Sequence, residues 1–131
     1  ADNSLLCGMK FLCAEDNEIN SEILQMLLES KGAHCKIYPN GQEIVDAFAS
    51  VKPGEYDMIL MDVQMPVMNG YEATAAIRSL PGAKGKLPIV AMTANAFDED
   101  KKKALECGMD GFLSKPIVIE ELISILQKNL D

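Results

Sequence analysis

The sequence holds a single histidine, His34, so a histidine-rich metal centre is excluded. Its four cysteines, Cys7, Cys13, Cys35 and Cys107, include no C-x-x-C pair. Two of them fall in or beside apolar runs, where a free thiol behaves as a small hydrophobe, and no structural disulfide is expected. Positive charge is scarce: 12 Lys and Arg stand against 20 Asp and Glu, a net charge of -8. That balance argues against non-specific nucleic-acid binding, which needs a basic footprint. The one cationic run, Lys101 to Lys103, sits among acids and reads as a solvated helix face. No apolar run approaches the roughly 18 residues of a membrane span, and no secretory leader opens the chain. The expectation is a soluble, cytoplasmic unit that touches neither membrane nor nucleic acid, whatever anchors a parent protein. The chain starts at Ala1 rather than Met, so residues 1–8 read as the remnant of a linker and 9–131 as the domain.

What is present is alternation. Short apolar runs give way to longer amphipathic ones along all 131 residues, without repeats or low-complexity tracts. Strands are predicted at 9–14, 34–38, 58–61, 87–92 and 109–114. Helices are predicted at 17–31, from Asn40-Gly41 to Pro53-Gly54, at 71–80, 98–107 and 118–130. The first helix offers Ile19, Ile23, Met26, Leu27 and Ser30 as one stripe. The second offers Ile44, Val45 and Phe48, the third Ala73, Ala76, Ile77 and Leu80, the last Leu122, Ile125, Leu126 and Asn129. The run Met58-Ile59-Leu60-Met61 is apolar on both sides, as a central parallel strand requires. This is an α/β pattern: a doubly wound parallel sheet covered on both faces, with strand order 2-1-3-4-5 by analogy.

In such a sheet, ligands bind where strands end. Strand one ends in Glu15-Asp16, strand three in Asp62, strand four in Thr93 and strand five in Lys115. A parallel sheet brings all five to one crevice. Clustered carboxylates raise one another's pKa or require a cation, and these hard oxygen ligands suit Mg²⁺. Lys115 adds a positive charge and Thr93 a hydroxyl. No Ser-His or Cys-His pair supplies a nucleophile, so the best nucleophile is a carboxylate, which accepts a phosphoryl group as an acyl phosphate. Each residue alone has a plainer role; Asp16 or Asn17, for example, also suits the cap of the first helix.

The segments "AEDNEIN", "ILMDVQMPVMNGYEAT", "PIVAMTANAFDED" and "GFLSKPI" resemble the signatures of the response-regulator receiver domain, in the same order, from Lys10 to Leu126. They are most similar to receivers of hybrid sensor histidine kinases. The resemblance implies a flavodoxin-like (βα)5 fold and a two-component phosphorelay, in which the domain takes a phosphoryl group and either switches conformation or passes it on, with a histidine kinase or histidine phosphotransfer protein as partner. Asp62 becomes the phosphoacceptor. Glu15, Asp16, Asp62 and the backbone carbonyl of Gln64 become Mg²⁺ ligands. Lys115 and Thr93 become partners of the phosphate, and Lys115-Pro116 matches a bond that is cis in the family. Phe112 matches an aromatic switch position that often holds tyrosine; without a hydroxyl, any switch works by packing, and a plain core role stays open. Gln64, Ala94 and Asn95 match positions that govern phosphate access and lifetime. The face of the fourth helix, fifth strand and fifth helix is implied as the output surface, with a dimer as one use. The isolated domain would be no enzyme beyond its own phosphotransfer and dephosphorylation, although its parent could be a kinase.

Other readings fit less well. A phosphohydrolase of the haloacid-dehalogenase type needs a second Asp where Gln64 stands, and a cap domain. A flavodoxin needs a phosphate-cradling loop after strand one, where this chain is acidic. A histidine phosphotransfer domain needs its histidine on a helix, whereas His34 follows the glycine that ends one. A degenerate receiver acting as a scaffold would not need all five site residues.

Overall fold

The computed structural model describes residues 7–52, 55–63, 68–80, 87–93, 98–114 and 118–129. Five strands alternate with five helices: β1 Lys10–Ala14, α1 Glu18–Ser30, β2 His34–Tyr38, α2 Gly41–Ala49, β3 Met58–Asp62, α3 Gly70–Arg78, β4 Ile89–Thr93, α4 Asp98–Glu106, β5 Gly111–Ser114 and α5 Ile119–Asn129. All neighbouring strands pair in parallel, in the expected order β2-β1-β3-β4-β5.

Strand periodicity divides the core in two. Met58 and Leu60 of β3 join Phe11, Cys13, Leu24, Leu28, Leu122 and Ile123 on the side covered by α1 and α5. Ile59 and Met61 face the other way, with Leu12, Ile44, Phe48, Ala73, Ile77 and Ala104, under α2, α3 and α4. Every residue of β3 is buried, which is why its sequence reads apolar on both sides.

Helix α1 buries a face other than the one expected, and α5 buries one residue more, Ile123, beside the expected Leu122 and Ile125. In α1 the inward residues are Leu24 and Leu28, with Leu27 half-buried. Ile19 and Met26 are 68% and 70% exposed, and Ile23 is 47% exposed. Two apolar stripes, offset by one residue or about 100°, satisfy the same helical period, and packing against β1 selects the leucine stripe. In α5 the buried pair is Leu122 and Ile123, with Ile125 packed beside them. The side chains of Leu126 and Asn129 lie outside the described residues, as do Pro53-Gly54 and the loop 81–86.

At the amino ends of the strands, Arg78 closes the structure. Its guanidinium donates to the carbonyls of Gly108 and Leu87 at 2.8 and 2.6 Å and pairs with Asp110 at 2.6 Å. One rigid fork thus ties the end of α3 to the entries of β4 and β5. The four cysteines are free. Gly8 donates its N–H to Gly32 at 2.9 Å, so the end of the expected linker is tied to the turn after α1.

Candidate functional site

Strand register sets the geometry. Ala14 pairs with Met61 across β1 and β3, and Asp62 pairs with Met92 across β3 and β4. Glu15, one residue beyond β1, therefore stands level with Asp62. Thr93 lies one step further along β4, opposite Ser114. Carboxylate oxygens of Glu15, Asp16 and Asp62 all lie within 4.8 Å of one another. Glu15 and Asp62 are only 4% and 3% exposed, while Asp16 is exposed at the rim. Thr93 is also buried, at 3%.

The local chain conformation holds the acids in place. The Glu15 N–H donates to the Tyr38 carbonyl at 2.9 Å, fixing the exit of β1 against β2. Glu15 Oε2 accepts from the Asn17 N–H at 3.1 Å. Asn17, not Asp16, caps α1: its side chain accepts from the Asn20 N–H at 3.0 Å. The Asp16 carboxylate is therefore left for the acidic cluster.

Behind Asp62 lies a feature that sequence reasoning missed. Asn40-Gly41 and Asn69-Gly70 are matched helix starts, each with the Asn as cap and the Gly as first helical residue. Asn69 and Glu72 complete a reciprocal capping box, at 2.9 and 3.2 Å. A Cβ at Gly70 would collide with the Asp62 carbonyl, and one at Gly41 with the Met68 carbonyl. The Gly41 N–H donates to that Met68 carbonyl at 3.0 Å, and the Gly70 N–H to Val63 at 3.2 Å. Both glycines thus let helix starts press against other backbone, Gly70 against Asp62 and Val63 and Gly41 against Met68. The repeated Asn-Gly pair was the available signal.

Phe112 is half-buried on the α4 side of the sheet, directly opposite Ala91. Thr93 follows Ala91 by two residues and so shares that face. Lys115, Gln64, Ala94 and Asn95 lie outside the described residues.

Three buried or rim carboxylates at this spacing form an oxygen-ligand set of the kind Mg²⁺ takes. Residues 11–127 match the family model for the response regulator receiver domain. The chain belongs to that family. Its sequence is similar to hybrid signal transduction histidine kinase B of Dictyostelium discoideum, at 44% identity over 133 residues, covering 93% of this chain and 7% of that protein. Its fold is similar to the receiver domain of the sensor histidine kinase PA1611 from Pseudomonas aeruginosa PAO1, solved with magnesium coordinated in the active-site cleft. The TM-score is 0.80 at 36% identity, over 93% of this chain and 97% of that one. It is similar as well to the receiver domain of the response regulator Ssk1 from Saccharomyces cerevisiae, solved with the histidine phosphotransfer protein Ypd1. There the TM-score is 0.76 at 34% identity, over 89% and 85% of the two chains. The chain spans only 4%, 8% and 7% of three curated hybrid kinases that it matches. Among the described residues, no helix is long and apolar enough to cross a membrane.

Proposed function

We propose that this receiver accepts a phosphoryl group on the Asp62 carboxylate from a phosphohistidine partner. The observation that carries this reading is the buried Asp62 carboxylate held beside Glu15 and Asp16 at the strand ends. In the step, an Asp62 oxygen forms a bond to phosphorus as the phosphorus–nitrogen bond breaks. The electron pair of that bond returns to the partner's imidazole.

Glu15, Asp16, Asp62 and the carbonyl of Gln64 would hold Mg²⁺, which supplies charge neutralisation for the carboxylates and the incoming phosphoryl oxygens. Thr93 donates its hydroxyl to the phosphate on Asp62, and Lys115 supplies a counter-charge. Gln64, Ala94 and Asn95 would set phosphate access and lifetime; none carries a carboxylate or imidazole to act as a general base for hydrolysis. Phosphorylation adds about -1.5 to -2 charge at Asp62. Thr93 moves towards it, and Phe112 repacks over the small Ala91 that stands opposite it.

The unit runs over 9–131 and works in the cytoplasm as part of a hybrid kinase. It has no turnover beyond its own phosphotransfer and dephosphorylation. Its donor is a helical bundle that lays an apolar face on Ile19, Ile23 and Met26, three exposed residues at helical spacing on α1. That helix starts at the rim of the acidic cluster, so docking there presents a phosphohistidine to Asp62. The output face is formed by α4, β5 and α5, where Leu105 and Val118 are exposed, and its occupant is a second copy of the receiver. Sedimentation with and without beryllofluoride checks that dimer; an unchanged monomer removes it.

The central test is phosphotransfer from a radiolabelled phosphohistidine protein to the wild-type chain and to Asp62→Asn. Label is expected on wild type alone. Label on Asp62→Asn would assign the acceptor elsewhere.

A further inference from the structure

A cavity of about 230 Å³ lies at the opposite end of the sheet from the acidic cluster, lined by Lys10, His34, Cys35, Lys36, Glu55 and Tyr56. Lys10 and His34 are the first residues of β1 and β2 and pair directly across the strands. At about 3.3 Å per residue, the cavity is separated from Glu15 by roughly 16 Å of strand. Lys36 lies two residues along β2, so Lys10, His34 and Lys36 project from one face. In a chain with 20 acidic residues and 12 Lys and Arg, this cavity is lined by two lysines, the sole histidine and one carboxylate, Glu55.

Three carboxylates stand nearby and carry negative charge: Glu55 acts on Lys36 and Tyr56, Glu29 acts on Cys35, and Asp57 and Glu55 each accept one backbone N–H. Asp57 Oδ2 accepts from the Lys10 N–H at 2.8 Å, and Glu55 Oε1 from the Lys52 N–H at 3.4 Å. Lys36 is exposed, and its ammonium sits 5.6 Å from the centre of the Tyr38 ring. The half-buried Tyr56 supplies a flat wall and a phenol. Burial is the first cause lifting the Tyr56 phenol above its ordinary range, followed by the Glu55 charge, so the phenol stays a hydrogen-bond donor at neutral pH. The lysine stems add apolar surface beneath cationic tips. A cavity of about 150 Å³ suffices for benzene, so this one has room for a ring bearing a charged group.

We propose that this cavity binds a small organic anion, a carboxylate or phosphate monoester on a flat apolar body. Lys10, Lys36 and His34 take the charged group, and Tyr56 with the lysine stems takes the ring. The site is independent of Asp62 phosphorylation.

The test is an amide NMR titration with phenyl phosphate. EDTA replaces Mg²⁺, so the acidic cluster stays anionic and repels the probe. Saturable shifts are expected at Lys10, Cys35, Lys36 and Tyr56. The double variant Lys10→Gln/Lys36→Gln, altered only at exposed positions, is expected to bind about tenfold more weakly or worse. Benzoate should compete, which would assign the charge rather than phosphorus as the recognised feature. The absence of saturable shifts, or unchanged affinity in the double variant, would overturn the site. Equal affinity for inorganic phosphate would overturn the role given to the ring.

Discussion

Glu15 stands one residue past β1 and Asp62 ends β3, yet their carboxylate oxygens approach within 4.8 Å while both side chains remain almost wholly out of solvent. Two like charges so placed favour a bound cation. Mg²⁺ should therefore stabilise the folded wild-type chain, by about 2.7 kcal/mol at a concentration near 100 times its Kd. Thermal melts with Mg²⁺ and with EDTA check this. The shift should shrink strongly in Asp62→Asn, and an equal shift in both proteins would place the ion elsewhere.

Gly70 is the second point of leverage. A methyl group there would meet the Asp62 carbonyl and the Val63 backbone, neither of which can swing aside like a side chain. Gly70→Ala should cost about 1–3 kcal/mol of stability. It should also slow phosphorylation of Asp62 by shifting the acceptor. Urea unfolding and single-turnover labelling measure the two effects; a variant that unfolds like wild type would mean that the backbone yields freely.

The exposed α1 stripe separates docking from chemistry. Ile23→Asp should weaken phosphotransfer from a phosphohistidine protein at least about tenfold, since an interface anchor is commonly worth 1–2 kcal/mol or more. The rate with a small acyl-phosphate donor should stay at the wild-type value, because Ile23 is no part of the acidic cluster. Loss of both activities would show that Ile23 supports the fold instead.

Thiol chemistry should differ sharply between positions. Burial lifts the Cys13 thiol well above its ordinary range, with a smaller contribution from Cys35. Cys7 is exposed. Iodoacetamide should modify Cys7 first and leave Cys13 intact until the chain unfolds. The unfolded chain releases the Cys13 proton from about pH 8.5, while the folded chain keeps it. Stability should thus fall as pH rises above that value, by up to about 1.4 kcal/mol per pH unit from this group, until the folded thiol ionises too. Cys13→Ala should flatten that slope in urea titrations between pH 8 and 10.

Much of this architecture is legible in the chain because burial on both faces leaves a plain mark. "MILMD" declares a central strand that ends on an acid, and the strand ends bring Glu15, Asp16, Asp62 and Thr93 to one edge. Helix α1 is harder to read, since Ile19, Ile23 and Met26 keep the same period as Leu24 and Leu28 and only the sheet decides between them. An apolar stripe that faces solvent is a surface feature, and periodicity alone cannot separate it from core. The roles of Gly41 and Gly70 escape a sequence reading for a different reason. Their importance lies in the backbone of residues distant along the chain or across a loop, Met68 and Asp62, and no local pattern announces that approach.

The measurement closest to the central claim is intact mass after incubation with Mg²⁺ and a small acyl-phosphate donor, with Asp62→Asn and EDTA run in parallel. One added phosphoryl group on wild type, absent from both controls, is the expected result. A phosphoryl adduct that persists in Asp62→Asn, or that forms equally well in EDTA, would contradict a Mg²⁺-dependent acceptor at Asp62.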